Sequence, residues 1–158
     1  MSYVSSQTTP LYAIVWSSGL PQPYTLAGVV QTTPAYTKAA APPDNTPGTA
    51  IVAKSLPFVL TDGDLSNNNN GGDWVKVQMP ANTTKLRVQT SNNPKTCAAV
   101  QLYASDGTTP IGVVEVGFNV DHTYKNRKPG ATYYVSFGWG PCTSSSSTTY
   151  TGIVRAEP

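Results

Sequence analysis

The sequence predicts an all-β fold: an antiparallel β-sandwich of jelly-roll-like build, preceded by an extended Pro/Thr-rich N-terminal arm. Three observations predict it. Apolar and polar residues alternate in short runs such as "DWVKVQM" (73–79) and "KLRVQT" (85–90), which is the period of a half-buried strand. Turn-forming clusters ("PANTT", "TSNNPK", "SDGTTP", "KPGA", "GPCTSSSS") separate these runs at the spacing expected of a sandwich. No stretch shows the apolar period of an amphipathic helix, and Ser, Thr, Asn, Gly and Pro dominate, a composition that favours turns and strands. At 158 residues the chain can bury one real core.

Residues 1–54 read as arm and linker. They hold half of the 14 prolines (Pro10, Pro21, Pro23, Pro34, Pro42, Pro43 and Pro47), and "AAAPPDNTPG" (39–48) reads as extended linker. Such a segment does not close a core by itself, so it needs another surface to lie on. Two β-prone runs, Leu11–Trp16 and Tyr24–Gln31, sit within it. "QTTPLY" at Gln7 and "QTTPAY" at Gln31 form a weak repeat, either chance in a Thr/Pro-rich segment or two equivalent docking pieces. In the second case proline fixes φ, its predecessor is pushed to an extended shape, and the tyrosine anchors. Leu11, Tyr12, Ile14, Trp16, Tyr24, Leu26 and Tyr36 are the candidate partner-binding residues of the arm.

Residues 55–158 read as the sandwich domain. "SLPFVLT" is short and β-prone. A run of asparagine and glycine, 67–72, then lets the chain turn tightly, since both residues tolerate positive φ. After it, Val75, Val77 and Met79 alternate with Trp74, Lys76 and Gln78, and Leu86 and Val88 with Lys85, Arg87 and Gln89. "CAAVQLYAS", "IGVVEVGF", "TYYVSFGW" and "TYTGIVRA" supply the remaining strands. The predicted core is Val75, Val77, Leu86, Val88, Val100, Leu102, Val135 and Ile153.

The order of these pieces resembles the bacterial pre-peptidase C-terminal domain. Asp73-Trp74, Leu102-Tyr103, Asp106-Gly107 and Gly130-Ala131-Thr132-Tyr133-Tyr134-Val135 occupy the places of that family's strand and turn signatures, over residues 58–156. The resemblance implies a jelly-roll-like sandwich used as an accessory, binding or stabilising module and not as a catalyst. The chain departs from the family in carrying an extended arm, and in having "TCAAVQL" where the family has an Asp-x-Asp-Leu metal-site neighbourhood.

Chemistry-bearing residues are few. Charged residues make up 11% of the chain and the net charge is +2, with Lys125, Arg127 and Lys128 the one dense basic group. This is not the stripe that neutralises many phosphates, so nucleic acid is not an expected partner. The apolar run Leu11–Trp16 is too short to span a bilayer, and no secretory leader opens the chain. The expectation is a protein used inside a cell, released by lysis, or present in processed form. The one histidine, His122, follows Asp121 in what reads as a turn, and no nucleophile elbow or His-Glu-x-x-His motif accompanies it, so no catalytic residue and no enzyme is expected. "DGDLSNNNNGGD" (62–73) mimics the oxygen-ligand spacing of a calcium loop, with Asp62, Asp64 and Asp73 as candidate ligands. It lacks the sixth-place glycine and the bidentate glutamate, and a flexible polar hairpin loop is the preferred reading. Otherwise no cofactor is expected. Cys97 opens one strand and Cys142 follows another, so the two form a candidate disulfide if those strands are antiparallel neighbours. The alternative is two separate half-buried thiols.

Three function classes fit unequally. A virion protein that decorates or cements a phage capsid explains the arm, the low-charge exterior and the missing catalytic set. Its partner would be the major capsid protein or another shell protein, with trimers suiting quasi-threefold sites, and its location the virion. An extracellular carbohydrate-binding or adhesive module is the alternative, and an enzyme fits least.

Overall fold

The computed structural model describes residues 35–37, 44–64, 72–92, 97–141 and 149–158, with the backbone alone at 35–37, 62–64, 92 and 149. These residues form ten strands: β1 (Ala35–Thr37), β2 (Ile51–Val52), β3 (Phe58–Asp64), β4 (Asp73–Gln78), β5 (Lys85–Asn92), β6 (Ala98–Tyr103), β7 (Pro110–Gly117), β8 (Asp121–Tyr124), β9 (Thr132–Trp139) and β10 (Thr149–Glu157). Among the described residues there is no α-helix; one 3-10 turn, Pro47–Thr49, precedes β2. The strands make two sheets, β1-β3-β10-β5-β8 and β2-β4-β9-β6-β7.

From β3 onward, successive strands change sheets except between β6 and β7, and the first of these eight strands lies beside the last. Two Greek keys wound in this way are a jelly roll, and its neighbouring strands are all antiparallel. The all-β sandwich predicted from alternation is the fold the chain adopts.

Alternation fills the space between the sheets, because successive side chains of a strand point to opposite faces. Val75, Val77, Leu86, Val88, Val100, Leu102 and Val135 are fully buried there, joined by Phe58, Leu60, Met79, Phe137, Tyr150 and Val154. Ile153 is buried as well, but outside this cluster, opposite Val59 and Gln89. Val154, opposite Val88 and Phe58, takes the inward place. Both positions of the Ile153-Val154 pair are apolar, so the pattern alone did not choose between faces.

Two pieces of the segment read as arm belong to the sandwich. β1 pairs parallel with β3 (Tyr36 opposite Leu60), and β2 pairs parallel with β4 (Ile51 opposite Val75). The stretch between them is tied down too. The Trp74 amide donates to the Asp44 carbonyl (2.8 Å) and the Ala53 amide to the Lys76 carbonyl (2.9 Å). Pro47 lies so close to Gly107 that a Cβ on that glycine would meet it at 2.5 Å. The compact unit carrying the sheets begins at Thr32. Adding a strand to a sheet edge satisfies backbone groups that the edge otherwise leaves open, which is how these short pieces of a Pro-rich segment dock.

Asp121 and His122 are not a turn; they begin the edge strand β8, opposite Gln89 and Val88. Being consecutive in a strand, their side chains leave on opposite faces, so they do not form an Asp–His pair. The turn 104–109 is built by Asp106, whose carboxylate accepts from the amides of Thr108 and Thr109 (both 2.9 Å) and from the Thr109 hydroxyl (2.5 Å). Those bonds, the Thr109 hydroxyl first, lower the Asp106 pKa to about 2.

Candidate interaction surface

β7 is the feature that the fold leaves unexplained. It is the edge of its sheet, and it is apolar where edges are usually charged. Val113 is 68% exposed, Val114 53%, Val116 46% and Phe118, just past the strand, 45%. Two local causes produce this. Val116 lies opposite Ala99, which lies opposite Gly138, so no tall side chain flanks it on that face. Further along, Val100 pairs with Glu115 but Leu102 with Ile111, leaving Gly112, Val113 and Val114 opposite Gln101 alone. The extra residues bulge outward, as bulges at sheet edges do. Gln101 is buried and holds the bulge from beneath, its Nε2 donating to the carbonyls of Ile111 (2.9 Å) and Leu102 (2.8 Å). Gly112 takes φ +72 in the bulge and rests on the Tyr124 ring, a backbone shape that side chains disfavour.

The one charged residue of β7 turns inward. Glu115 Oε1 lies 3.0 Å from His122 Nδ1 on β8, so a polar pair bridges the free margins of the two sheets. The His122 ring meets the Tyr124 ring edge-on, with centroids 4.5 Å apart. Burial, and after it the Glu115 charge, pushes Tyr124 up to about 12. On the outer face of the other sheet, Arg87 grips Asp121 with two bonds (2.8 and 2.7 Å), and Gln89 adds a third at 3.1 Å. The Arg87 bonds lower the Asp121 pKa. Exposed pairs of this kind add little stability.

The candidates from the sequence fall elsewhere. Leu11, Tyr12, Ile14, Trp16, Tyr24 and Leu26 lie outside the described residues, and Tyr36 is in β1, where only its backbone is described. Asp62 and Asp64 lie in β3, with Asp64 paired to Thr149. Asp73 is fully buried and accepts a 2.7 Å bond from the Tyr150 hydroxyl. Among the described residues no three His, Cys, Asp or Glu side chains gather as a metal site would need.

Cys97 is fully buried and disulfide-bonded, at the start of β6 where that strand meets the end of β9. The chain's other cysteine, Cys142, lies outside the described residues. Thiol titration of the denatured, unreduced protein is expected to find no free thiol, and reduction to lower stability by about 3–4 kcal/mol in the chain-entropy picture. Two titratable thiols would remove the cross-link.

Aromatic side chains gather on the outer face of the β2-to-β7 sheet. Trp74 and Tyr103 have ring centroids 4.8 Å apart, and Lys76 Nζ stands 5.8 Å above Tyr134. Part of this face is taken by the chain itself, since Gly107 sits between Pro47 and Tyr134. An open depression of about 570 Å³ at one end of the sandwich has, among the described residues, a single charged lining residue, Lys54. No family model matches the chain, and no curated protein matches it.

Proposed function

We propose that the chain is a non-enzymatic structural protein of a virion, a capsid decoration protein held to the shell by its N-terminal residues. The observation that carries this reading is the behaviour of the described part of the N-terminal segment. Both of its strands, β1 and β2, add in parallel to the edge of a sheet. The remaining β-prone runs, Leu11–Trp16 and Tyr24–Gln31, have the composition to do the same on a neighbouring surface. Jelly rolls recur as viral capsid and lectin domains, which supports the assignment by analogy of fold. The sandwich, of the pre-peptidase C-terminal type, would then face outward.

The test is co-sedimentation of the full chain with undecorated capsids, beside a chain lacking residues 2–31. The full chain is expected to pellet with the particles and the shortened one to stay in solution with its sandwich folded. Equal decoration by both would place the anchor elsewhere. Binding of soluble glycans, abolished by Trp139→Ala, would instead favour the adhesive reading, since Trp139 is 43% exposed at the end of β9.

A further inference from the structure

We propose that one end of the sandwich, ringed by Lys54, Lys85, Lys125, Arg127 and Lys128, is a docking site for an acidic segment of a partner protein. These five are half of the chain's ten basic residues, and three loops bring them together. Lys54 and Pro129 line the same open depression, and Lys128 precedes that proline. The Arg127 amide donates to the Thr84 carbonyl (2.7 Å), which sets the loop after β8 against the residue before Lys85. Two acidic side chains described at this end are engaged elsewhere: Glu157 faces Arg87 at 3.7 Å, and Asp106 is bonded within its own turn. Lys54, Lys125 and Lys128 are exposed, and among the described residues they form no ion pair.

The loop after β8 is tied down. Arg127 Nε donates to the Lys125 carbonyl (2.9 Å), its guanidinium lies 5.7 Å from the Tyr133 ring centroid, and the Lys128 amide donates to the Tyr133 hydroxyl (3.0 Å). Cations presented by a pre-organised loop lose less freedom on binding. The surroundings choose among anions. The loops 53–57, 79–84 and 125–131 contain no aromatic residue, so they offer no ring on which a base would stack. The large apolar side chains exposed elsewhere on the protein are absent from them, so nothing there enters a bilayer. Between the cations the depression is lined by Leu56, Pro80, Ala81 and Pro129, which suits an apolar side chain flanked by carboxylates. β1 runs parallel to β3, which starts just after Leu56, so the residues before Ala35 join their sheet at this same end. A protein held by those residues is thereby brought to the cations, and to that extent the choice of a protein partner rests on the capsid reading.

The test is titration of the full chain with octaglutamate, followed by amide NMR signals at about 0.15 M salt, where exposed charges more than about 8 Å apart are largely screened. Signals from residues 53–56 and 125–131 are expected to shift. Lys128→Glu is expected to weaken the affinity about tenfold. Lys76→Glu makes the same charge change on the outer face of a sheet and is expected to weaken it by about twofold or less. Lys128 is exposed, so the thermal unfolding midpoint of its variant should stay near that of the parent. The absence of shifts, shifts spread over every lysine, or equal weakening by the two variants would overturn the proposal. So would heparin shifting these signals where octaglutamate does not, which would assign the site to an anionic glycan. Capsids are absent from this titration, so its failure is separate from a failure of the co-sedimentation with capsids.

Discussion

Phe137→Ala is expected to destabilise the protein by about 3–5 kcal/mol. Phe137 is fully buried in β9, a central strand of its sheet, opposite Asp73 on one side and Val100 on the other. Its ring packs on Tyr150 with centroids 5.5 Å apart, and Gly152 comes so close that a Cβ there would touch the ring at 3.0 Å. Removing it opens a cavity that the two backbones cannot collapse to fill. It also loosens Tyr150, whose hydroxyl bonds the buried Asp73 carboxylate, and a buried carboxylate robbed of a donor is itself costly. A domain has roughly 5–15 kcal/mol in total, so this loss is a large share. Urea unfolding should show a lower midpoint at nearly constant slope. A loss under about 1 kcal/mol would mean the site collapses freely and the ring is not a keystone of the core.

Gly72→Ala is expected to be at least as severe, by a different mechanism. Gly72 has φ +70, and an added Cβ would lie 2.0 Å from the Phe137 carbonyl oxygen and 2.8 Å from the Gly138 Cα. Both are backbone atoms, so no rotamer change relieves the contact. The start of β4 would have to part from β9, where Asp73 pairs with Phe137. Gly130 provides the control. It has nearly the same φ, +73, but open space around it. Gly130→Ala should therefore show the conformational penalty alone, about 1–2 kcal/mol. Gly72→Ala should exceed it by several kcal/mol or fail to yield folded protein, as the sum of a steric and a conformational mechanism would. Equal losses in the two variants would mean that β4 gives way without cost.

That comparison bears on what the sequence could announce. The start of β4 at Asp73 was legible from the alternation that begins there, but not that the glycine before it must sit against another strand's backbone. The long strands were legible because alternation is local: Val75, Val77, Leu86 and Val88 declare a common face without reference to any partner. β1, β2 and β8 were not, having three, two and four residues. Such strands exist only because an edge is there to receive them. The candidate surface was hidden for a related reason. "IGVVEVGF" reads only as one more strand, and its exposure follows from small neighbours on β6 and β9 and from a bulge that no periodicity reveals. The Glu115–His122 pair joins two strands that happen to border the same gap. Asp73 looked like part of a polar loop, whereas its partner Tyr150 lies 77 residues away in sequence.

The jelly-roll order also sets a timetable for synthesis. β9 and β10, the last strands made, are not added at the rims; each slots between two earlier ones, β9 between β4 and β6 and β10 between β3 and β5. Until they emerge from the ribosome, four strands wait with an unfilled side, and neither sheet can close. At about 5–20 residues per second the stretch from β3 to β10 takes roughly 5–20 s to make, while non-local β folds form in about milliseconds to seconds once their strands are present. Folding of the sandwich is therefore paced by the arrival of β9 and β10. A nascent chain halted before Thr149 would hold a slot open for the corresponding strand of another chain, so premature termination should yield aggregates and not a smaller folded protein.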